Sequence, residues 1–450
     1  MVFEAEQYWL TNVRVPIALL REINFAVSGD LASVDLQIQA GRIAEIVSAG
    51  SATIEGMPVQ NLRQGIVFPC FVDLHTHLDK GHTWGRAPNR SGSFDDALQT
   101  VSSDSQKNWN AEDVYRRMEF GLKCAYAHGT QAIRTHIDSF GEQAAISFGV
   151  FQTLRQKWAD RMKLQAASLV SLDYYLTPEG EKLADLVAEV GGVLGGVTVV
   201  TPDLPQQLDR LFTLAADRHL DLDIHVDESG NPTDNALHQI AETAIRFRSA
   251  GRFSGQIVCG HCCSLAVQTA KEAAETIDLV RQAEIGIVSL PLCNLYLQDR
   301  NQNSALNIGS LEEAVLPTKT PRWRGVTLVH ELKQAGVPVA FASDNCRDPF
   351  YAYGDHDGLE VFTQATRIAQ LDAPYDTWSR TVTATPAALM KLPPIAEIYP
   401  GAAANLILFK ARYYSELFSR PQVDRIVLRE GKAIDSTLPD YAELDDLVYR

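Results

Sequence analysis

The stretch FVDLHTHLDKGH, residues 71–82, decides how this chain is read. The words GIVFPCFVDL that lead into it are rich in β-branched and aromatic residues, the pattern of a buried strand. In a strand, residues i and i+2 point to one face. His75 and His77 are spaced so that two imidazoles can converge on one ion. An HxH pair is a hypothesis until partners are found elsewhere in the chain.

Working outward, residues 66–395 alternate short apolar words with amphipathic stretches of helical length. The apolar words are GIVFPCFVDLH, QAIRTHID (131–138), KLQAASLVSL (163–172), GVTVV (196–200), LDLDIHVDE (220–228), GQIVCGHC (255–262), IGIVSLPL (285–292) and PVAFASDN (338–345). Between them lie helical patterns such as AEDVYRRMEFGLKCAYAHG, with Asn110 and Asp113 placed as a capping pair. NALHQIAETAIRFRSAG and LVHELKQAG both close on glycine. Eight strand–helix units predict a parallel (β/α)8 TIM-like barrel over 66–395, an α/β fold. The ends read as alternating, Gly-punctuated strands. They predict a small β-sandwich domain built jointly from 1–65 and 396–436, followed by an acidic tail at 437–450 that forms a short helix or a mobile end. The polar connection 299–323 is long enough to serve as a lid.

A net charge of −16 argues against nucleic acid and anionic membranes as partners. No 18-residue apolar run and no signal-peptide pattern is present, and seven cysteines, an odd number, sit mostly in apolar words. These features predict a reduced, cytoplasmic chain.

Chemistry-capable side chains recur at the ends of the apolar words: His75 and His77 in the first, His136 and Asp138 in the second, His225 and Glu228 in the fifth, His261 in the sixth, Asp344 in the eighth. In a barrel these ends share the C-terminal rim, where active sites lie. Three imidazoles and a carboxylate suit one divalent ion, zinc or iron, able to generate hydroxide from water near neutral pH. Glu228, three residues after His225, is placed to shuttle protons without ligating. His261 can hydrogen-bond the attacking oxygen, and Asp344 can both ligate and accept a proton. CGHC at 259–262 matches a thiol-redox CxxC but closes a strand rather than opening a helix. SDN at 343–345 matches a β-lactamase element whose SxxK partner is missing, and the HxE…PCxxC pattern of nucleic-acid deaminases is absent. His82, His128, His219, His238, His330 and His356 read as surface or packing residues.

The ordered set HTHLD, THID, HVDE, GH and SDN…DPFYAYG, with PLCNLYLQDR at 291–300, resembles the amidohydrolase superfamily, in particular its bacterial cytosine deaminase-like branch. The resemblance spans nearly the whole chain except the last dozen or so residues. It implies that His75, His77, His225 and Asp344 bind one metal, that Glu228 shuttles protons, and that His261 with Asp344 activates the water. The bridging Lys usual on the fourth strand of binuclear members is missing from GVTVVTPDL, which implies a single ion. The substrate-reading positions depart from that branch. Ser171 stands where a Gln reads the pyrimidine edge, Asn345 replaces a second Asp, and Phe350 replaces a Trp. Asn both donates and accepts, so the ring pattern read here differs from that of cytosine. The implied activity is hydrolytic deamination of a small cytosine-, triazine- or pterin-like heterocycle with release of ammonia. Cleavage of an N-alkylamino-heterocycle or cyclic amide on the same site, and a non-catalytic metal- or ligand-binding role, remain alternatives. Association into a homo-oligomer is compatible with this architecture.

Overall fold

The computed structural model of the protein describes residues 2–21, 25–300 and 320–449. The lid expected over 299–323 lies for the most part outside the described residues.

The decisive stretch is two strands rather than one. Val67–Pro69 pairs antiparallel with Leu406–Leu408, whereas strand β1 (Phe71–Thr76) pairs parallel with β2 (Thr130–Asp138). Cys70 is the switch between them, its N–H donating to the Asn405 carbonyl at 2.9 Å. One apolar run thus serves two sheets. Apolarity signals burial but not the direction of the neighbouring strand.

Parallel pairing continues from β2 to β3 (Lys163–Leu169). A second parallel sheet runs in chain order through β4 (Leu194–Val197), β5 (Leu222–Val226), β6 (Ile257–His261), β7 (Ile285–Ser289) and β8 (Val339–Phe341). Isolated parallel bridges Ala167–Val193 and Ser171–Val197 link β3 to β4, and Thr76–Asp344 links the end of β1 to the segment after β8. The strands β5 to β8 are in register through Asp223–Val258, His225–Gly260, Gly260–Val288 and Val288–Ala340. Val72, Leu74, Ala132, Val258, Val288 and Ala340 form one buried cluster, with the histidines beyond it.

Helices fill the connections. Ala111–His128 starts on Asn110, whose side chain accepts from the N–H groups of Glu112 and Asp113, and ends on Gly129 at φ 99°. The expected reply from Asp113 to the cap does not form. Its carboxylate instead receives Arg86 (3.0 Å) and Arg117 (2.7 Å). At the termini, Gln7–Pro16, Val27–Ser28, Leu31–Gln39, Arg42–Ser48 and Val59–Asn61 make a five-stranded sheet. Val67–Pro69, Leu406–Leu408, Ile426–Arg429 and Lys432–Ala433 make a four-stranded one. A single apolar cluster draws on both, including Tyr8, Leu36, Val67, Leu406 and Leu428. The acidic tail forms the short turns Tyr441–Leu444 and Asp445–Val448, and Leu444, Leu447 and Val448 pack on Phe120 and Cys124 of the helix Ala111–His128. Among the described residues no helix is long and apolar enough to cross a membrane.

Candidate active site

Four of the residues singled out in the sequence meet in a ring of ligand atoms. His75 Nε2 lies 3.1 Å from His225 Nε2, which lies 3.3 Å from His77 Nε2. Asp344 Oδ1 closes the ring at 3.2 Å from His77 Nε2 and 3.6 Å from His75 Nε2. The fold brings them together from the ends of β1 and β5 and from the segment after β8, where Asp344 N–H donates to the His75 carbonyl at 2.9 Å. Gly260 makes room for this packing, because a Cβ there would stand 2.9 Å from Cε1 of His75.

The electrostatics suit a cation. All four residues are buried. Burial first, and neighbouring cationic groups second, hold the imidazoles of His75, His77 and His225 well below their ordinary range, so their nitrogens are neutral donors of lone pairs. Burial pushes Asp344 up to about 8. Neither carboxylate oxygen of Asp344 has a hydrogen-bond partner among the described residues. Buried polar atoms left open in this way fit a divalent ion, which neutral imidazoles and a carboxylate would hold. The ligand atoms of His75, His225, His261 and Asp344 also lie within 4.8 Å of one another, so His261 stands beside the same point.

Glu228 and His261 are joined by a residue the sequence did not flag. Asn294, in the short helix Pro291–Leu297 after β7, donates through Nδ2 to Glu228 Oε1 at 3.2 Å and to His261 Nδ1 at 3.0 Å. His261 accepts at Nδ1, so its proton sits on Nε2, a buried atom with no other partner among the described residues. Gln298 Nε2 donates to the Glu228 carbonyl at 3.3 Å. The Glu228 side chain is 13 % exposed. Burial, then the charge of Asp344, raises its carboxyl well above the usual range, and Lys80 opposes the shift.

A cavity of ≈ 300 Å³ opens onto these groups. Ser171, Asn345 and Phe350 line it, together with His77, His225, Glu228, His261 and Asp344. Asn345 Nδ2 donates to Asp348 Oδ2 at 2.8 Å, which fixes the orientation of its amide. Phe94, Leu98 and Val101, on one face of the helix Phe94–Asn108, form an apolar wall of the cavity. Lys80 is a second missed residue. It is buried, pairs with Asp138 at 2.8 Å and lies 5.1 Å from the centre of the Phe350 ring. The charges of Asp138 and Asp79 outweigh the cost of burial, so Lys80 keeps its proton. The cyclic spacing of apolar positions gave no sign of either residue. Their only signal was a Lys inside the opening stretch and the Asn of PLCNLYLQDR. The rings of His136 and His75 lie tilted against each other with centres 4.0 Å apart, and His136 Nε2 lies 3.6 Å from Asp223 Oδ1. The CGHC cysteines are buried and unpaired, as are all seven in the chain.

A family model described as "Amidohydrolase family" matches residues 120–433. A pterin deaminase of Rhizobium rhizogenes is 49 % identical over 447 residues, covering 99 % of this chain and 97 % of that protein. An N-isopropylammelide isopropyl amidohydrolase of a Pseudomonas species is 23 % identical, covering 72 % of this chain and 74 % of that protein. Among solved structures, a 5-methylcytosine deaminase from Klebsiella pneumoniae liganded with 5-fluorocytosine superposes with a TM-score of 0.77 at 22 % identity, covering 96 % of this chain and 98 % of that one.

Proposed function

This chain belongs to the amidohydrolase family, and from that premise we propose that it is a hydrolytic deaminase of an amino-substituted N-heterocycle of the pterin class. One observation carries the reading: His77, His225 and Asp344 of the ligand ring line the same cavity as the linked pair Glu228 and His261. The long relative named as a pterin deaminase supports the choice of ring. So do Ser171 and Asn345, which differ from the cytosine-reading pattern, and the apolar wall of Phe94, Leu98 and Val101, against which a flat bicyclic ring can lie.

His75, His77, His225 and Asp344 would hold one divalent ion, which when bound makes a water nucleophilic near neutral pH. The remaining work falls to the chain. Phe350 and the apolar wall orient the ring and exclude bulk water, and Asn345, held by Asp348, presents its amide to the ring edge. His261 donates from Nε2 toward the attacking oxygen. Glu228 holds a proton under the influence of burial and delivers it to the departing amino nitrogen. The oxygen of water bonds to the ring carbon and the exocyclic C–N bond breaks. One water proton restores the proton that Glu228 gave up, the nitrogen leaves as ammonia, and the other water proton stays on the ring.

Glu228→Gln keeps size and hydrogen bonding but cannot carry the proton. Turnover of pterin substrates, followed as ammonia release, should fall by roughly 10²–10⁴-fold with metal content per chain unchanged. Normal turnover in this variant would remove Glu228 from the mechanism. Screening amino- against alkylamino-heterocycles for ammonia or alkylamine release separates deamination from the N-dealkylating alternative.

We infer further that β1 to β8 close into a (β/α)8 barrel that begins after Cys70 and runs to about 395, and that Val67–Pro69 joins 1–65 and 396–436 in one β-sandwich domain. The bridges flanking β4 and joining Thr76 to Asp344, and the apolar cluster common to both terminal sheets, support this division.

A further inference from the structure

A second set of metal-capable side chains lies outside the cavity. His82, Cys346 and His356 are all buried, and their ligand atoms lie within 4.8 Å of one another. They come from the turn after β1, the segment after β8 and the approach to the helix Gly358–Ala369. The first two are tied through the backbone, with His82 N–H donating to the Cys346 carbonyl at 3.1 Å. Neither ring nitrogen of His82 nor Nε2 of His356 has a hydrogen-bond partner among the described residues. Such atoms are costly to bury unless something occupies the space between them.

The tautomer of His356 can be read from its neighbour. Thr76 has a single hydroxyl proton, and it goes to the Asp344 carbonyl at 2.8 Å. Toward His356 Nδ1, 3.3 Å away, Thr76 can therefore only accept. Nδ1 then carries the ring proton and Nε2 keeps its lone pair, the arrangement common in metal-ligating histidines. Gly121 leaves that nitrogen uncovered, since a Cβ there would stand 3.0 Å from it. The charges acting on Cys346 are mostly negative, Asp355, Asp348 and Glu360 against Arg347. Arg347 and Arg117 act on the His82 side.

We propose that His82, Cys346 and His356 form a second, structural site for a zinc-like dication, distinct from the ring of ligands in the cavity. Two neutral imidazoles and a thiolate select a borderline-soft ion and not magnesium or calcium. On binding, the Cys346 S–H bond breaks, its proton leaves to solvent and a sulfur–metal bond forms, while both imidazoles bind neutral. The ion would brace the back of β1, because Thr76 lies between His75 and His77 and faces away from them.

The test uses the full-length protein, stripped with a chelator and reloaded with Co²⁺. The four cavity ligands offer only nitrogen and oxygen, but the Cys293 thiol lies beside Asn345 and Asp344, so a sulfur-to-cobalt charge-transfer band is assigned to the second site by its response to Cys346→Ser or His356→Gln. The expected result is two cobalt per chain with that band. Cys346→Ser should lose the band and one cobalt, and His75→Ala should lose the other cobalt and keep the band. A wild-type protein that takes up cobalt without the band overturns the proposal, as does a band that survives Cys346→Ser. Should Cys346→Ser fail to fold, His356→Gln must weaken or shift the band, and a band unchanged in that variant overturns the proposal.

Discussion

Asn294 shows how one neutral side chain governs two ionisable ones. Its Nδ2 group serves Glu228 and His261 together, so it sets which nitrogen of His261 is protonated and where the Glu228 carboxyl points. Replacing it with Leu preserves volume but removes the donor. We expect Asn294→Leu to lower kcat by roughly 10–100-fold, as for loss of groups that orient reactive ones, with KM nearly unchanged and an altered pH–rate profile. Steady-state kinetics across pH checks this, and a pure KM effect would count against a positioning role. The contrast between Asn294 and His225 explains what a sequence can reveal. His225 is a polar residue ending an apolar word, an anomaly that periodicity exposes. Asn294 sits in a short helix among mixed neighbours, and its importance lies in contacts with residues 66 and 33 positions away. Lys80 was in plain view in the opening stretch, yet its meaning came only with Asp138 beside it.

Among the elements, the helix Ala111–His128 helps to hold the turn after β1 through one side chain. Arg117, fully buried, donates to the Asp79 carbonyl and, at 3.2 Å, to that of Gly81, while pairing with Asp113. Arg117→Met should destabilise the fold by roughly 1–3 kcal/mol for the carbonyls left without a donor, measured by denaturant unfolding. Arg86 still neutralises Asp113 in that variant. A stability change within error would mean water replaces the guanidinium. Element type was legible wherever apolar residues recur at a clear period, and the helix cap at Asn110 was found. Element limits were not. GVTVV proved to be Leu194–Val197, with Val199 and Val200 beyond the strand and facing cavities, because neighbouring strand ends decide where pairing stops. Splitting of GIVFPCFVDLH at Cys70 depends on Asn405, which no local pattern can announce.

At the scale of the molecule, the last residues close the structure over the helix Ala111–His128. Leu444, Leu447 and Val448 bury against Phe120 and Cys124, and Arg116 pairs with Asp446 at 2.7 Å. Ending the chain at residue 436 removes these contacts, at about 1.5–3 kcal/mol for each aliphatic side chain, an upper figure because unfolded chains already bury some of that surface. The truncated protein should melt at a lower temperature by differential scanning calorimetry, and unchanged melting would show that the tail contributes nothing to the folded state. The hydrogen bond from Thr76 to Asp344 spans 268 residues, and this has a bearing on how the protein is made. A ribosome delivers His75 and His77 long before Asp344, and the strand Val67–Pro69 waits longer still for Leu406–Leu408. Closing so large a loop adds little to the equilibrium cost but much to the search time. If the ring holds the ion proposed for it, the fourth ligand arrives only with Asp344, and loading would follow the emergence of most of the chain.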